Sequence, residues 1–145
     1  MQKLMWWTQA KFVLAVVVVI FHRNRILLLE HSYRPRYPWG LPTGWVHYGE
    51  TLEDAVRREV WEEARVDLGL VHWLYAEFPS RRHLEVGYWA EAAIAAEGVL
   101  SADGEIVSSS WIPYDGELPE KLLPTQRVII ESAVKARAQQ LPSAP

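Results

Sequence analysis

The sequence predicts an α/β fold, an α/β/α sandwich with a mixed β-sheet between two helices. Three observations carry this. The run Phe12 to Phe21, FVLAVVVVIF, is dominated by β-branched residues, which are stiff at χ1 and suit a strand covered on both faces. Apolar, β-rich stretches lie on both sides of a helix start at Thr51. A second amphipathic segment runs from Thr125 to about Gln139.

Each element has its own signal. Strands at Lys11 to Phe21 and Arg25 to Glu30 are separated by the polar HRNR interruption, which predicts a hairpin. From His31 to Trp39, Pro35 and Pro38 forbid a helix, and short extended pieces follow around Leu41 and from Trp45 to Tyr48. Thr51 followed by Asp54 is a relative of the capping box and opens a helix from Leu52 to about Arg65. Leu70 to Phe78 and Leu84 to Ala96 are strands split by the PSRRH turn. Ser101 to Glu105 is loop and Ile106 to Ile112 a further strand. The closing helix places Val128, Ile129, Ser132, Ala133 and Ala136 on one face.

A chain of 145 residues is the size of one domain, spanning 1–145 with the tail LPSAP frayed, and buries roughly 70% of its unfolded surface. Charge is balanced, 15 basic against 18 acidic residues. That argues against a nucleic acid polymer as partner, because a net basic face is needed to displace counterions from phosphates. Cysteine is absent, so disulfides and thiolate zinc sites are excluded. As a helix the ten residues from Phe12 to Phe21 would reach about 15 Å, half the ~30 Å hydrocarbon core. They are followed directly by His22, Arg23, Asn24 and Arg25 rather than by a cleavage site. No membrane partner and a cytoplasmic location are therefore expected. Eight tryptophans need burial or partners; Trp7, Trp73, Trp89 and Trp111 are expected to pack.

On a helical wheel at about 100° per residue, with Glu59 at zero, Leu52, Ala55, Val56 and Val66 form an apolar face. Glu62 falls near −60° and Glu63 near +40°, so three carboxylates share the side that buries. Carboxylates ~5 Å apart repel by roughly 3 kcal/mol at an effective dielectric near 20. Compensation comes from proton uptake or from a cation. Arg58 can neutralise one of them; the remaining oxygens suit a hard divalent ion, Mg²⁺ or Mn²⁺, better than zinc. Trp61 lies on the opposite side, available to another element or to a second copy in a homodimer.

The segment GWVHYGETLEDAVRREVWEEARV resembles the Nudix box, G-x5-E-x7-R-E-U-x-E-E-x-G-U, where U is a bulky aliphatic. Gly44, Glu50, Arg58, Glu59, Val60, Glu62, Glu63 and Val66 fall in register. Arg65 stands where the family has its second glycine, which ends the helix. A side chain at φ > 0 costs on the order of 1 kcal/mol, so the helix is expected to run on towards Gly69.

The resemblance implies hydrolysis of a nucleoside diphosphate linked to another moiety, with water attacking phosphorus. Glu59, Glu62, Glu63 and the Gly44 carbonyl would hold Mg²⁺, with Mn²⁺ as a substitute. Arg58 would orient Glu59 and pair with Glu50, a structural partner. Glu59 and Glu105 are the two candidates for general base. Outside the box, Arg34, Arg36, Trp39 and Arg81 combine cations with a flat ring, as phosphate pairing and base stacking require. A non-catalytic nucleotide-sensing module and a structural ion site are the alternatives.

Overall fold

A computed structural model describes residues 11–94 and 104–140. Among them seven strands form one mixed sheet. β1 (Val13–His22) turns back into β2 (Arg25–His31) through Arg23, at φ 56°. β3 (Trp39–Gly40) and β4 (Thr43–Trp45) follow, then α1 (Leu52–Ala64), β5 (Asp67–Ser80), β6 (His83–Ile94), β7 (Ile106–Pro113) and α2 (Pro124–Gln140). The main order is β3-β2-β1-β6-β5, with β7 on β2 and β4 on β1. Among the described strands only β1 and β6 pair in parallel, from Val13 beside His83 to Phe21 beside Glu91.

The valine run explains the layering. Val16, Val18 and Ile20 point into one core with Ala55, Val56, Val60 and Ala64 of α1, whereas Val17, Val19 and Phe21 point into another with Ile130 and Ala133 of α2. A strand that alternates faces and is apolar at every position needs a cover on both sides. Each such side chain contributes about 1.5–3 kcal/mol by leaving water. No helix among the described residues is long and apolar enough to cross a membrane.

Beside the hairpin turn, Phe21 pairs with Ile26 and His22 with Arg25. Further back along β1 the neighbour becomes β4, with Val16 opposite Gly44. The change of neighbour brings the loop before α1 onto the sheet. Thr51 caps α1: its hydroxyl oxygen accepts from the Asp54 N–H at 3.1 Å and the hydroxyl donates to the Asp54 carboxylate at 2.7 Å.

Three expectations are corrected. The helix does not continue towards Gly69; it stops at Ala64, and Arg65 itself takes the left-handed conformation, φ 54° and ψ 37°. The Arg65 N–H and guanidinium both donate to the Trp61 carbonyl, at 3.1 and 3.2 Å, and the guanidinium lies over the Trp61 ring, contacts that offset the strain. The early reversal lets β5 begin at Asp67. In α2 the buried stripe is Gln126, Ile130 and Ala133, not the one containing Val128, which is 65% exposed. The helix is rotated because the Gln126 side chain faces inward to accept from the Leu41 N–H at 2.7 Å. Trp73 is 65% exposed on the edge strand β5 rather than packed. Trp89 is buried and stacks on His72, while Trp111 packs against the α1-side core. Trp7, the loop from Ser101 to Asp103, the end of the strand beyond Ile94, and the LPSAP tail lie outside the described residues.

Candidate active site

The site grows from Arg58, nearly two turns into α1. Its guanidinium donates from Nε and Nη2 to the two Glu50 oxygens at 3.1 and 2.7 Å. Nη1 donates to Glu59 at 2.7 Å and to Glu62 at 3.3 Å, and Nη2 also reaches the Trp45 carbonyl at 2.9 Å. This forked geometry is one that a planar guanidinium supplies and an ammonium does not. Glu50 also accepts from the His47 N–H at 2.6 Å. Arg58 first and that N–H second hold its carboxyl down at about 2, while Glu50 raises the Arg58 pKa. Glu50 is thus a structural partner in this geometry.

Glu59 and Glu63 turn towards the sheet. The Glu59 carboxyl lies against Gly44, where a side chain would displace it from this position. Glu63 accepts from the Thr43 N–H at 3.2 Å, while the Thr43 hydroxyl ties β4 to the Val16 carbonyl at 3.0 Å. Burial pushes Glu59 up despite Arg58. Glu63 is pushed up to about 8, by burial first and by the charges of Glu59 and Glu105, with Thr43 and Arg34 acting against them. Two carboxylates that resist ionisation beside one another mark a place that a cation would stabilise.

These groups line a cavity of about 610 Å³ with Tyr33, Arg34, Gly44, Glu62 and Glu105. Glu105 arrives through β7: His31 pairs with Ile106, so the residue before it lies beside the Ser32 loop, where its carbonyl accepts from the Ser32 N–H at 2.9 Å. Arg34 also lines the cavity, its guanidinium lying against Gly40. Its Nε and Nη2 are buried with no hydrogen-bond partner among the described residues, and burial lowers its pKa.

The oxygen donors fit a hard divalent ion in chemical type. They do not yet converge: among the described residues no three acidic or histidine side chains form a metal-holding group. Arg58 draws on Glu62, whose side chain is 56% exposed.

The chain is matched by the family model described as NUDIX domain over residues 11–133. It belongs to the NUDIX family. Among curated relatives, the NAD-capped RNA hydrolase NudC of Yersinia enterocolitica is 33% identical over 135 residues, covering 86% of this chain and 48% of the relative. NudC of Erwinia tasmaniensis is 29% identical over 129 residues, with the same two coverages, 86% and 48%. This NUDIX chain spans about half the length of those relatives. Among solved structures, the MutT NUDIX hydrolase of Burkholderia pseudomallei superposes with a TM-score of 0.71 at 26% identity, covering 84% of this chain and 98% of that one. The NUDIX domain of Shewanella oneidensis NrtR, complexed with ADP ribose, gives 0.71 at 25% identity, covering 89% and 90%.

Of the residues singled out in the sequence, Arg34, Gly44, Arg58, Glu59, Glu62, Glu63 and Glu105 meet in one cavity. Glu50 stands behind Arg58, and three of the four residues expected to bind substrate do not line the cavity. Arg36 is exposed, over the Tyr37 ring; Arg81 is exposed in the β5–β6 turn. Trp39 is a strand residue of β3 packed against the α2-side core, its carbonyl accepting from the Leu123 N–H at 3.0 Å. Sequence reasoning missed Thr43, His83, Glu85 and Gln126 as lining residues. Two of these carry a readable signal: Glu85 shares the alternation of Trp89 in β6, and Gln126 shares the stripe of Ile130 and Ala133. A polar residue at an inward position is informative.

Proposed function

We propose that this NUDIX chain hydrolyses a pyrophosphate bond in a nucleoside diphosphate joined to a second moiety. The observation that carries the reading is that Gly44, Arg58, Glu59, Glu62 and Glu63 line one cavity together with Arg34, whose Nε and Nη2 have no hydrogen-bond partner among the described residues. The Gly44 carbonyl, Glu59, Glu62 and Glu63 would hold Mg²⁺, or Mn²⁺ in its place. When bound, such an ion neutralises phosphate charge and lowers the pKa of water. Arg58 fixes the Glu59 oxygens. Arg34 supplies a cation for a phosphate oxygen from the other side. Glu59 or Glu105 takes the proton from the attacking water, and hydrogen-bond reach to that water decides between them.

The relatives named for NAD-capped RNA and the neighbour bound to ADP ribose support an ADP-containing substrate with an internal pyrophosphate. They also stand against the expectation that no nucleic acid polymer is involved. The balance of 15 basic and 18 acidic residues speaks only to sequence-independent polymer binding. A capped 5′ end held at this cavity requires no extended basic face.

The test is a panel of ADP-ribose, NAD, nucleoside triphosphates and a NAD-capped RNA, incubated with Mg²⁺ or Mn²⁺ and assayed for nucleotide and phosphate products. Turnover should fall by about 10²-fold or more in Glu62→Gln and in Glu63→Gln, as for lost transition-state electrostatics. No turnover, or full rates in both variants, overturns the reading. The pairing of Glu62 with Arg58 favours a second reading, a nucleotide-sensing module. ADP-ribose binding with no turnover at any metal concentration identifies it.

A further inference from the structure

One side chain from each helix holds the short stretch that leads from β3 into β4. From α1, Glu63 accepts from the Thr43 N–H at 3.2 Å; from α2, Gln126 accepts through Oε1 from the Leu41 N–H at 2.7 Å. Gln126 is 5% exposed and 85 positions from Leu41 in the chain, so only the complete fold brings the two together. The residues just before α2 are tied to the same stretch. Leu122 makes a single bridge to Trp39, and the Leu123 N–H donates to the Trp39 carbonyl at 3.0 Å.

Gly40 sits where these contacts meet Arg34. A Cβ on Gly40 would stand 2.7 Å from Arg34 Nη2 and 2.8 Å from Gln126 Oε1. The missing side chain therefore lets a guanidinium and an amide oxygen approach the same point of the backbone. Arg34 and Gln126 both line the carboxylate cavity. Yet Arg34 Nη2 has no hydrogen-bond partner among the described residues, and the amide oxygen is directed to Leu41 instead. An amide carries no net charge. It leaves the guanidinium uncompensated where a carboxylate of nearly the same shape would close an ion pair.

We infer that Gln126 is a positioning residue: it fixes the Leu41 backbone and, because it is neutral, keeps the Arg34 guanidinium open to the anionic part of the ligand, with Gly40 supplying the room. The inference rests on the proposed pyrophosphate hydrolysis for the identity of that anion. Gln126 works through Arg34 and through the backbone, without touching the reacting atoms. Its two roles are separable by substitution. Gln126→Glu keeps an acceptor for Leu41 and adds a charge beside Arg34, whereas Gln126→Leu leaves the buried Leu41 N–H unpaired. Gly40→Ala keeps both side chains and crowds the guanidinium.

The test uses the full chain in Mg²⁺ and three measurements. Calorimetric titration with α,β-methylene-ADP, whose bridging carbon resists hydrolysis, reads binding alone; steady-state kinetics on the best panel substrate reads turnover, and urea unfolding reads stability. In Gln126→Glu the probe Kd should rise about tenfold, the scale of one lost charged hydrogen bond. KM should follow it with kcat held within about twofold, as for a lost uniform binding contact, and the unfolding midpoint should not fall. In an Arg34→Leu background the same substitution should change Kd by less than about twofold, because the group it acts through is gone. Gly40→Ala should raise Kd about fivefold in the parent and add nothing to Arg34→Leu. Gln126→Leu should lower the unfolding midpoint. An unchanged Kd in both Gln126→Glu and Gly40→Ala, or equal rises with and without Arg34, overturns the inference. The expected Kd pattern with no hydrolysis of any panel member leaves the role of Gln126 standing and removes the hydrolase reading; hydrolysis with Kd and KM flat across the variants does the reverse. A parent that neither binds the probe nor turns over removes both.

Discussion

Arg58 and Arg34 face the same cavity and could hardly be more differently provided for. Arg58 meets three carboxylates and a backbone carbonyl. Arg34 keeps Nε and Nη2 buried and unpartnered among the described residues. A guanidinium with two buried, unpartnered nitrogens is costly to the folded state. One that is fully paired holds other groups in place. Arg58 therefore fixes Glu50 and Glu59, whereas the two open nitrogens of Arg34 suit the anionic ligand proposed above.

Replacing each arginine separates these roles. Arg58→Lys removes the forked geometry and leaves Glu50 and Glu59 partly unpaired. It should lower turnover of the best substrate by about 10²-fold, the scale of misplaced reacting groups, and cost about 2–3 kcal/mol in denaturant unfolding. Arg34→Leu should have the opposite profile. Its unfolding free energy stays level or rises, because two buried, unpartnered nitrogens are gone, while KM increases about tenfold or more through loss of a charged hydrogen bond. Equal stability losses in the two variants would break the distinction.

Arg34 also presses on His31, which is 1% exposed. Burial first, and the Arg34 charge second, lower its pKa from 6.5 to about 3. The unfolded chain thus binds this proton near pH 6.5 and the folded one only near 3. Stability is full above pH 6.5 and declines as pH drops through the window between those values, at about 1.4 kcal/mol per pH unit. Urea midpoints at pH 7 and pH 5 should differ less in His31→Leu than in the parent; an unchanged difference assigns the acid sensitivity elsewhere. The smallest effect belongs to a third arginine. Arg65→Gly relieves a left-handed side-chain position and should add up to about 1 kcal/mol. A loss would mean that the contact with Trp61 outweighs the strain.

The layers and the box were legible because they depend on local pattern. Valines at every position from Val16 to Val19 demand two covers, and the spacing from Gly44 to Glu63 follows one helix and the turn before it. The wheel erred in degree. Its buried stripe is centred on Ala55, Val56, Val60 and Ala64, which leaves Glu59 and Glu63 at the margin and Glu62 outside. What periodicity could not show is where distant segments meet. Arg34 was separable from Arg36 and Arg81 only once β3 and β7 had fixed the loop beside Glu105. Arg65 was misjudged because a glycine preference was read as a requirement, although the Trp61 carbonyl and ring provide the compensation.

The parallel partnership of β1 with β6 has a kinetic consequence. Val13 meets His83 and Ala15 meets Glu85 only after the intervening chain, including all of α1, has been closed into a loop. Such non-local pairing is slow relative to helix formation. A refolding chain will thus acquire α1 early, with its acidic residues assembled along one helix, but the part of the cavity lined by Ala15, His83 and Glu85 only when this pairing completes. Recovery of ligand binding should then trail recovery of helical signal, and the delay measures the time needed to join the two strands that wall the cavity.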